Sequence, residues 1–458
     1  MSFTSLNPAT GVAGNTYPAQ TTEDIERCLQ QSDTAFRAWR RTKFAERSHW
    51  MRRLAEVLDR EQATFGKLMA EEMGKPITAG QEEAAKCAKC ARYYAEHTEH
   101  FLADEPAQVD DATAFVRYQP LGPVLAIMPW NFPFWQVIRF AAPALMAGNA
   151  ALLKHASNVP GCALALQDLF HVAGFPEHLF QTLLIGSGQV ERVLEDPRVA
   201  AVTLTGSENA GRKVGATAGR LIKKSVLELG GSDPFIVMPS ADLAAAAQVG
   251  VKARTINCGQ SCIAAKRFVI HEQVYEEFTN RFVQLLRDLR VGDPLDPTTE
   301  VGPLATIAIL ETLEDQVHRL VEAGARVLTG GKRLPGPGNF YAPTALDNVA
   351  PNLPVAQEEI FGPAAVFFRV RNLDDALAVA NQTDFGLGAS AWTQDPQERE
   401  RLINEIESGQ VFINAMTSSD PRLPFGGIKR SGYGRELARA GIREFVNAKT
   451  VYIKGGGA

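Results

Sequence analysis

Cysteine is scarce here, with six in 458 residues. That is too few for a disulfide framework, so free thiols in a reducing compartment are expected. No apolar run is long enough to cross a bilayer. The most apolar region, 140–153, is interrupted by Pro143, Gly148 and Asn149. The stretch from Met1 to Asn7 lacks a basic and apolar targeting signal, and the expected location is cytoplasmic. Basic charge is not in excess: 47 Lys and Arg face 52 Asp and Glu, a net charge of −5, which leaves no nucleic-acid footprint. Low-complexity linkers and fixed-period repeats are missing. So is a paired metal-ligand motif. Cys87-Ala88-Lys89-Cys90 has no second CxxC and no suitably spaced histidines, so a helix-buried pair of thiols is expected rather than a redox pair or half a zinc site. His97 and His100 read as exposed helix residues, and no metal is expected.

What remains is an ordinary globular composition, 45% hydrophobic and 22% charged, in a chain long enough for two or three domains. The first hundred residues read as helices. Thr21-Thr22-Glu23-Asp24 is a capping signal before a run to about Arg40. Helical periodicity then covers about 45–73 and 77–102, separated by Gly74-Lys75-Pro76. From Pro123 the texture changes. Short apolar runs at 124–128, 150–154, 181–185, 201–205 and 225–229 alternate with helical patterns, which predicts a doubly wound parallel sheet. A second alternation follows Gly231, with strands expected at 235–238, 267–271, 325–328, 364–370, 390–393 and 410–414. Strand-like segments at 114–119 and 444–453 stand apart from both.

Ligands of such sheets bind beyond the carboxyl ends of the strands, and the chemistry-bearing residues gather there. Glu228 lies in Leu227-Glu228-Leu229-Gly230-Gly231, and 34 positions later Cys262 closes Asn257-Cys258-Gly259-Gln260-Ser261-Cys262. A thiol and a carboxylate at two glycine turns suit covalent catalysis: sulfur as nucleophile, carboxylate as base. Taken alone, the pair also reads as a structural cysteine and a surface glutamate. Gly186-Ser187-Gly188 starts like a dinucleotide fingerprint but has Glu191 at the third glycine position. Gly206-Ser207 and Gly211, at a helix start, form a better pyrophosphate cradle.

Four further motifs accompany that pair: Pro129-Trp130-Asn131-Phe132-Pro133, Thr205-Gly206-Ser207, Glu359-Ile360-Phe361-Gly362-Pro363 and Pro424-Phe425-Gly426-Gly427-Ile428-Lys429. Together the six resemble the aldehyde dehydrogenase superfamily, in order, from about Leu6 to the C-terminus. Lys154-His155-Ala156-Ser157, Trp135 and Arg139 look most like its bacterial succinate-semialdehyde dehydrogenases. The resemblance implies an α/β fold with a Rossmann-type cofactor domain (1–103 and 121–230), an α/β catalytic domain (231–430) and a small β oligomerisation element (104–120 and 431–458). It also implies a homodimer or homotetramer.

By family position Cys262 is the nucleophile. Asn131 and the Cys262 backbone N–H are the oxyanion donors, and Glu228 is the base that activates water. A glutamate there argues for a free-acid product. Trp130, Lys154, Ser157, Gly206, Ser207, Glu359 and Phe361 fall at cofactor positions. NAD-preferring relatives often carry Glu where this chain has Ser157, so Lys154 with Ser157 is expected to favour NADP over NAD; a solvated strand-end lysine is the plainer alternative. Trp135, Arg139, Ser261 and Ser419 fall on the aldehyde tunnel. Arg139 follows Trp135 by four positions, on the same helix face. With no acid nearby in sequence, Arg139 is expected to bind a substrate carboxylate, unless an acid from elsewhere in the fold pairs it. The implied reaction is oxidation of succinate semialdehyde to succinate. Glutarate semialdehyde, a neutral aliphatic aldehyde and, more distantly, cysteine-dependent ester or thioester hydrolysis are the alternatives.

Overall fold

The computed structural model describes residues 2–454. Met1, at the start of the expected cofactor domain, and residues 455–458, at the end of the expected oligomerisation element, lie outside the described residues. The capping box at Thr21 forms as expected, with its side chain accepting from the Asp24 N–H ahead of the helix Thr22–Trp39. The helix expected over 45–73 is two helices, Phe44–Arg60 and Gln62–Met73, separated at Glu61. Gly74 then ends the second in a left-handed conformation, φ 76°, where a side chain would strike Pro303. Ile77–Phe101 is a single helix, and it buries Cys87 and Cys90.

The amino-terminal region is not wholly helical. Ser2–Leu6 and Ala13–Pro18 pair antiparallel. Their sequences are short and rich in Ser and Thr, and only Phe3 and Ser5 of the first are buried, so hydrophobic alternation is nearly absent.

Six strands form the first sheet, in the order Gly432–Tyr433, Lys224–Glu228, Ala201–Thr205, Pro123–Met128, Ala150–His155, Phe180–Thr182. All neighbours are parallel except the two-residue edge strand. The chain starts at Pro123–Met128, winds to one side through Ala150–His155, then returns to Ala201–Thr205 on the other. That reversal opens a crevice between the exits of Pro123–Met128 and Ala201–Thr205. Residues 130–131 and 206–207 sit on its two lips.

Arg326–Thr329, Thr344–Asp347, Ala364–Val370, Ala265–His271, Asp233–Val237, Ala389–Trp392 and Val411–Ile413 build the second sheet in that order. Only its first strand runs antiparallel. Asp233–Val237 is buried on both faces, as a central parallel strand requires. Thr344–Asp347 was not expected. It is four residues long, between Pro343 and Asn348 at φ 58°, too short for its period to register.

Ala112–Pro120 pairs antiparallel with Val446–Lys454 along nine rungs, from Val446 opposite Pro120 to Lys454 opposite Ala112, and Glu105–Ala107 flanks them. The segment after 431 is therefore not one unit. Gly432–Tyr433 completes the first sheet, and only the stretch beyond the Ala438–Ile442 helix joins the three-stranded one.

Candidate active site

Cys262 is carried by a loop wound in an unfavoured direction. After the helix Leu243–Thr255, Asn257, Cys258 and Gly259 have φ of 51°, 59° and 78°. Non-glycine residues enter that region only when their surroundings hold them there. Asn257 Nδ2 donates to the carbonyls of Asn131 (2.7 Å) and Gln260 (3.1 Å). Gln260 Oε1 accepts from the Ala305 N–H (2.9 Å), and the buried Cys258 Sγ accepts from the Gly302 N–H (3.1 Å). Gly259 lies so close to Gly362 that a Cβ would come within 2.3 Å of its carbonyl group. Beyond the turn, Lys266 Nζ donates to the carbonyls of Ser261 (2.9 Å), Cys262 (2.7 Å) and Ala264 (3.1 Å). Burial pushes the Cys262 thiol up to about 12, against the pull of Arg139 and Lys266.

Asn131 is fastened from several sides. Its Nδ2 donates to the Gln260 carbonyl at 3.1 Å, which uses one of its two amide hydrogens. The neighbouring His155 accepts the Ala156 N–H on Nδ1 (2.9 Å) and so donates from Nε2 to the Pro133 carbonyl (3.0 Å). Burial depresses this imidazole to about 4, so it is neutral at pH 7. Lys75 sits 4.0 Å over the Phe132 ring and pairs with the buried Glu83. Glu83 Oε1 in turn accepts from the N–H groups of Phe134 and Trp135, both at 2.9 Å. A carboxylate thus caps the helix Trp135–Ala147.

The crevice contains a cavity of about 240 Å³ in which Trp130, Asn131, Gly206, Ser207, Cys262, Glu359 and Phe361 meet. Trp130 and Phe361 face edge to ring with centroids 5.9 Å apart. Glu359 Oε1 accepts from the Gly231 N–H (3.1 Å) and stands 3.7 Å from Lys266 Nζ. Gln136, Leu229 and Ile309 also line the cavity. Leu229 belongs to the Glu228 motif, whereas neither Gln136 nor Ile309 lies in a motif that would single it out in sequence.

The residues fit a dinucleotide. Two crossover helices start near the crevice. Glu72 caps Pro160–Val172, accepting the Gly161 and Cys162 N–H groups at 2.8 Å each. Glu208–Arg220 has only its Ser207 cap on Ala210, at 3.4 Å, and opens into the cavity. Its N-terminus is therefore the one available to a pyrophosphate. Lys154 and Ser157 lie outside the cavity, at the next strand exit. Lys154 is paired in the sheet with Ile127, and burial alone lowers its ammonium.

Glu228 ends its strand fully buried, 1% exposed, and neither carboxylate oxygen has a hydrogen-bond partner. Burial raises its carboxyl well above the ordinary range. Glu436 adds to that rise, while Arg139 and Arg435 oppose it.

Arg139 corrects the sequence reading. Its guanidinium is buried and ion-paired with Glu436. It donates to Thr205 Oγ1 at 3.2 Å and lies 4.6 Å over the Phe425 ring. The expectation of a guanidinium free for a substrate carboxylate fails, because the acid arrives from a distant turn in which Phe425 and Glu436 exchange two backbone bonds of 2.7 Å. The other expected tunnel residues fare differently. Trp135 Nε1 donates to Ser419 Oγ at 3.0 Å, so those two meet. Ser261 is buried with an unpartnered hydroxyl. Lys86, absent from the sequence reading, donates to Ser419 Oγ at 2.7 Å. Nothing local distinguishes it from Lys89, one turn on.

All six cysteines are free. Among the described residues no cluster suits a metal ion, and no helix is long and apolar enough to cross a membrane.

Comparison with known proteins gives the same frame. The family model described as "Aldehyde dehydrogenase family" matches residues 1–451. The chain is 55% identical over 456 residues to "Succinate-semialdehyde dehydrogenase [NADP(+)] 1" of Mycobacterium tuberculosis, covering 99% of this chain and 100% of that one. It is also 55% identical, over 456 residues, to "Succinate-semialdehyde dehydrogenase [NADP(+)]" of Mycobacterium leprae, again with 99% and 100% covered. The structure of the succinic semialdehyde dehydrogenase from Streptococcus pyogenes in complex with NADP+ superposes with a TM-score of 0.97 at 34% identity, covering 99% of this chain and 100% of that one. With the Cys262 thiol, the Asn131 amide and the Glu359 carboxylate lining one crevice, the chain belongs to the aldehyde dehydrogenase family.

Proposed function

We propose that this protein oxidises succinate semialdehyde to succinate, with NADP preferred over NAD. The observation that carries the reading is the meeting of the Cys262 thiol and the Asn131 amide in one cavity with the open helix end at Ser207 and the Glu359 carboxylate. Cys262, as thiolate, adds to the aldehyde carbon. The second Asn131 amide hydrogen and the Cys262 N–H stabilise the oxyanion; loss of one such donor typically costs about 3–4 kcal/mol. When bound, NADP would supply the hydride acceptor; Ser207, Glu359, Trp130 and Phe361 would hold it, and Lys154 and Ser157 would serve its 2′-phosphate. Loss of hydride from the adduct leaves a thioester on Cys262. Glu228 takes a proton from water, whose attack frees succinate and the thiol.

Lys154 without a carboxylate neighbour supports the choice of NADP, as do the names of the mycobacterial relatives. The domain limits carry over, except that residues 431–433 go with the cofactor sheet. The nine-rung pairing of Ala112–Pro120 with Val446–Lys454 supports a homodimer or homotetramer, and the six free thiols support a cytoplasmic setting.

A panel of succinate semialdehyde, glutarate semialdehyde and butanal, each with NADP and NAD, tests this by absorbance of the reduced nicotinamide. Succinate semialdehyde with NADP should give the highest kcat/KM. Ser157→Glu should then reverse the cofactor order, because a carboxylate there repels the 2′-phosphate. A higher kcat/KM for either other aldehyde would overturn the substrate reading.

A further inference from the structure

Beside Trp135 lies a cation that, among the described residues, has no carboxylate at ion-pair distance. Lys86 projects from the helix Ile77–Phe101, and its ammonium lies 4.2 Å over the Trp135 ring and 2.7 Å from Ser419 Oγ. Trp135 Nε1 donates to the same oxygen at 3.0 Å. A serine hydroxyl has two lone pairs and one proton. Both lone pairs of Ser419 are taken by these donors, which leaves its own O–H to serve as a third. The cluster therefore offers an ammonium with spare N–H groups and a hydroxyl proton, and it contains no acceptor for them.

Glu82, four residues earlier on the same helix, is exposed and forms no ion pair with Lys86, and the other nearby acids are engaged. Glu83 is bound by Lys75 and two backbone N–H groups, and Glu436 by Arg139. Asp420 is held by Arg422 through two bonds of 2.8 Å, with Lys89 at 3.7 Å. Burial, helped by the charge of Arg139, lowers the ammonium of the half-buried Lys86 to about 8. A charge so placed is costly unless a ligand completes it. Trp135 opens the helix four residues after Asn131, and Ser419 is locked to it. This ties the cluster to the segment that carries the oxyanion donor.

We propose that Lys86, oriented by Ser419 and Trp135, reads the distal carboxylate of the substrate and is the specificity residue for ω-carboxy aldehydes. The proposal deepens the reading above and rests on it; it gives Lys86 the task that sequence spacing assigned to Arg139. The carboxylate takes an N–H of Lys86 and the O–H of Ser419, and no covalent step is involved.

The test uses the full-length enzyme with succinate semialdehyde and with butanal, which has the same chain length and no acid. Lys86→Met should raise the KM for succinate semialdehyde relative to that for butanal by on the order of 10- to 100-fold, the range expected for one charged hydrogen bond. The kcat ratio between the two aldehydes should move far less. Lys86→Arg should recover most of the discrimination. Ser419→Ala should shift the same ratio, more weakly, and serves if the lysine variant does not fold. Equal KM changes for the two aldehydes would make Lys86 structural and overturn the proposal. If the wild type does not prefer succinate semialdehyde at all, the functional reading fails separately. Succinate inhibition of butanal oxidation then decides the site. Competitive inhibition of the wild type that Lys86→Met weakens supports a carboxylate pocket, and equal or absent inhibition removes it.

Discussion

Burial favours the uncharged form of both Glu228 and Cys262, and the work each does begins with losing a proton. For Glu228 the sign is clear. A raised carboxyl is a poor base in acid and gains strength as pH rises, so thioester hydrolysis should slow as pH falls. Glu228→Gln should still form the thioester, release a burst of reduced cofactor, and then stall. Mass spectrometry should find an acyl adduct on Cys262; a variant with neither burst nor adduct would place Glu228 at an earlier step. Arg139→Gln makes a different kind of claim. Removing it leaves Glu436 buried and unpaired beside Glu228, a loss of about 3–5 kcal/mol of stability. Its kinetic effect should fall equally on succinate semialdehyde and butanal. A defect confined to succinate semialdehyde would return the carboxylate-reading role to Arg139.

Short elements and long-range pairings mark the boundary of what the sequence discloses. Central parallel strands such as Ala201–Thr205 and Asp233–Val237 are buried on both faces and announce themselves as apolar runs. Their exits could be found, and with them Asn131, Ser207 and Glu228. The Ser2–Leu6 hairpin strand and Thr344–Asp347 carry too few apolar residues for a period, and the break at Glu61 has no Gly or Pro to mark it. Lys86 and Glu436 were invisible for another reason. Each matters because of a partner hundreds of residues away, and no local pattern records that. His155 belongs at this scale, because it joins the Ala150–His155 strand to the Asn131 segment through Pro133. Folding depresses its imidazole from 6.5 to about 4. A depressed group stabilises the fold above its unfolded value and loses that contribution as pH falls from about 6.5 toward 4. Wild type should therefore lose about 2 kcal/mol more than His155→Gln between pH 7 and pH 5, measured by urea unfolding of both proteins at the two pH values. Parallel losses would mean that the imidazole is not held neutral.

At the scale of the whole molecule, the three-stranded sheet has little of its own to pack on. Val446–Lys454 is buried only at Val446, and Tyr452 and Ile453 are 54% and 45% exposed. Its partner Ala112–Pro120 buries Ala114 alone. Two or three strands with both faces open are marginal in water, and the outer edge of Val446–Lys454 carries a row of unpaired backbone groups. In the homo-oligomer proposed above, a second subunit that covers one face or extends that edge would account for why nine rungs persist on so little buried surface. Truncation after Phe445 should therefore strip Ala112–Pro120 of its long partner and reduce the assembly to smaller species in sedimentation velocity. The cofactor crevice is built from other strands, and Gly432–Tyr433 stays with them, so NADP binding followed by quenching of tryptophan fluorescence should survive in the released subunit. A truncated chain that keeps the wild-type sedimentation coefficient would show that the assembly is made elsewhere, and that this sheet is exposed for another reason.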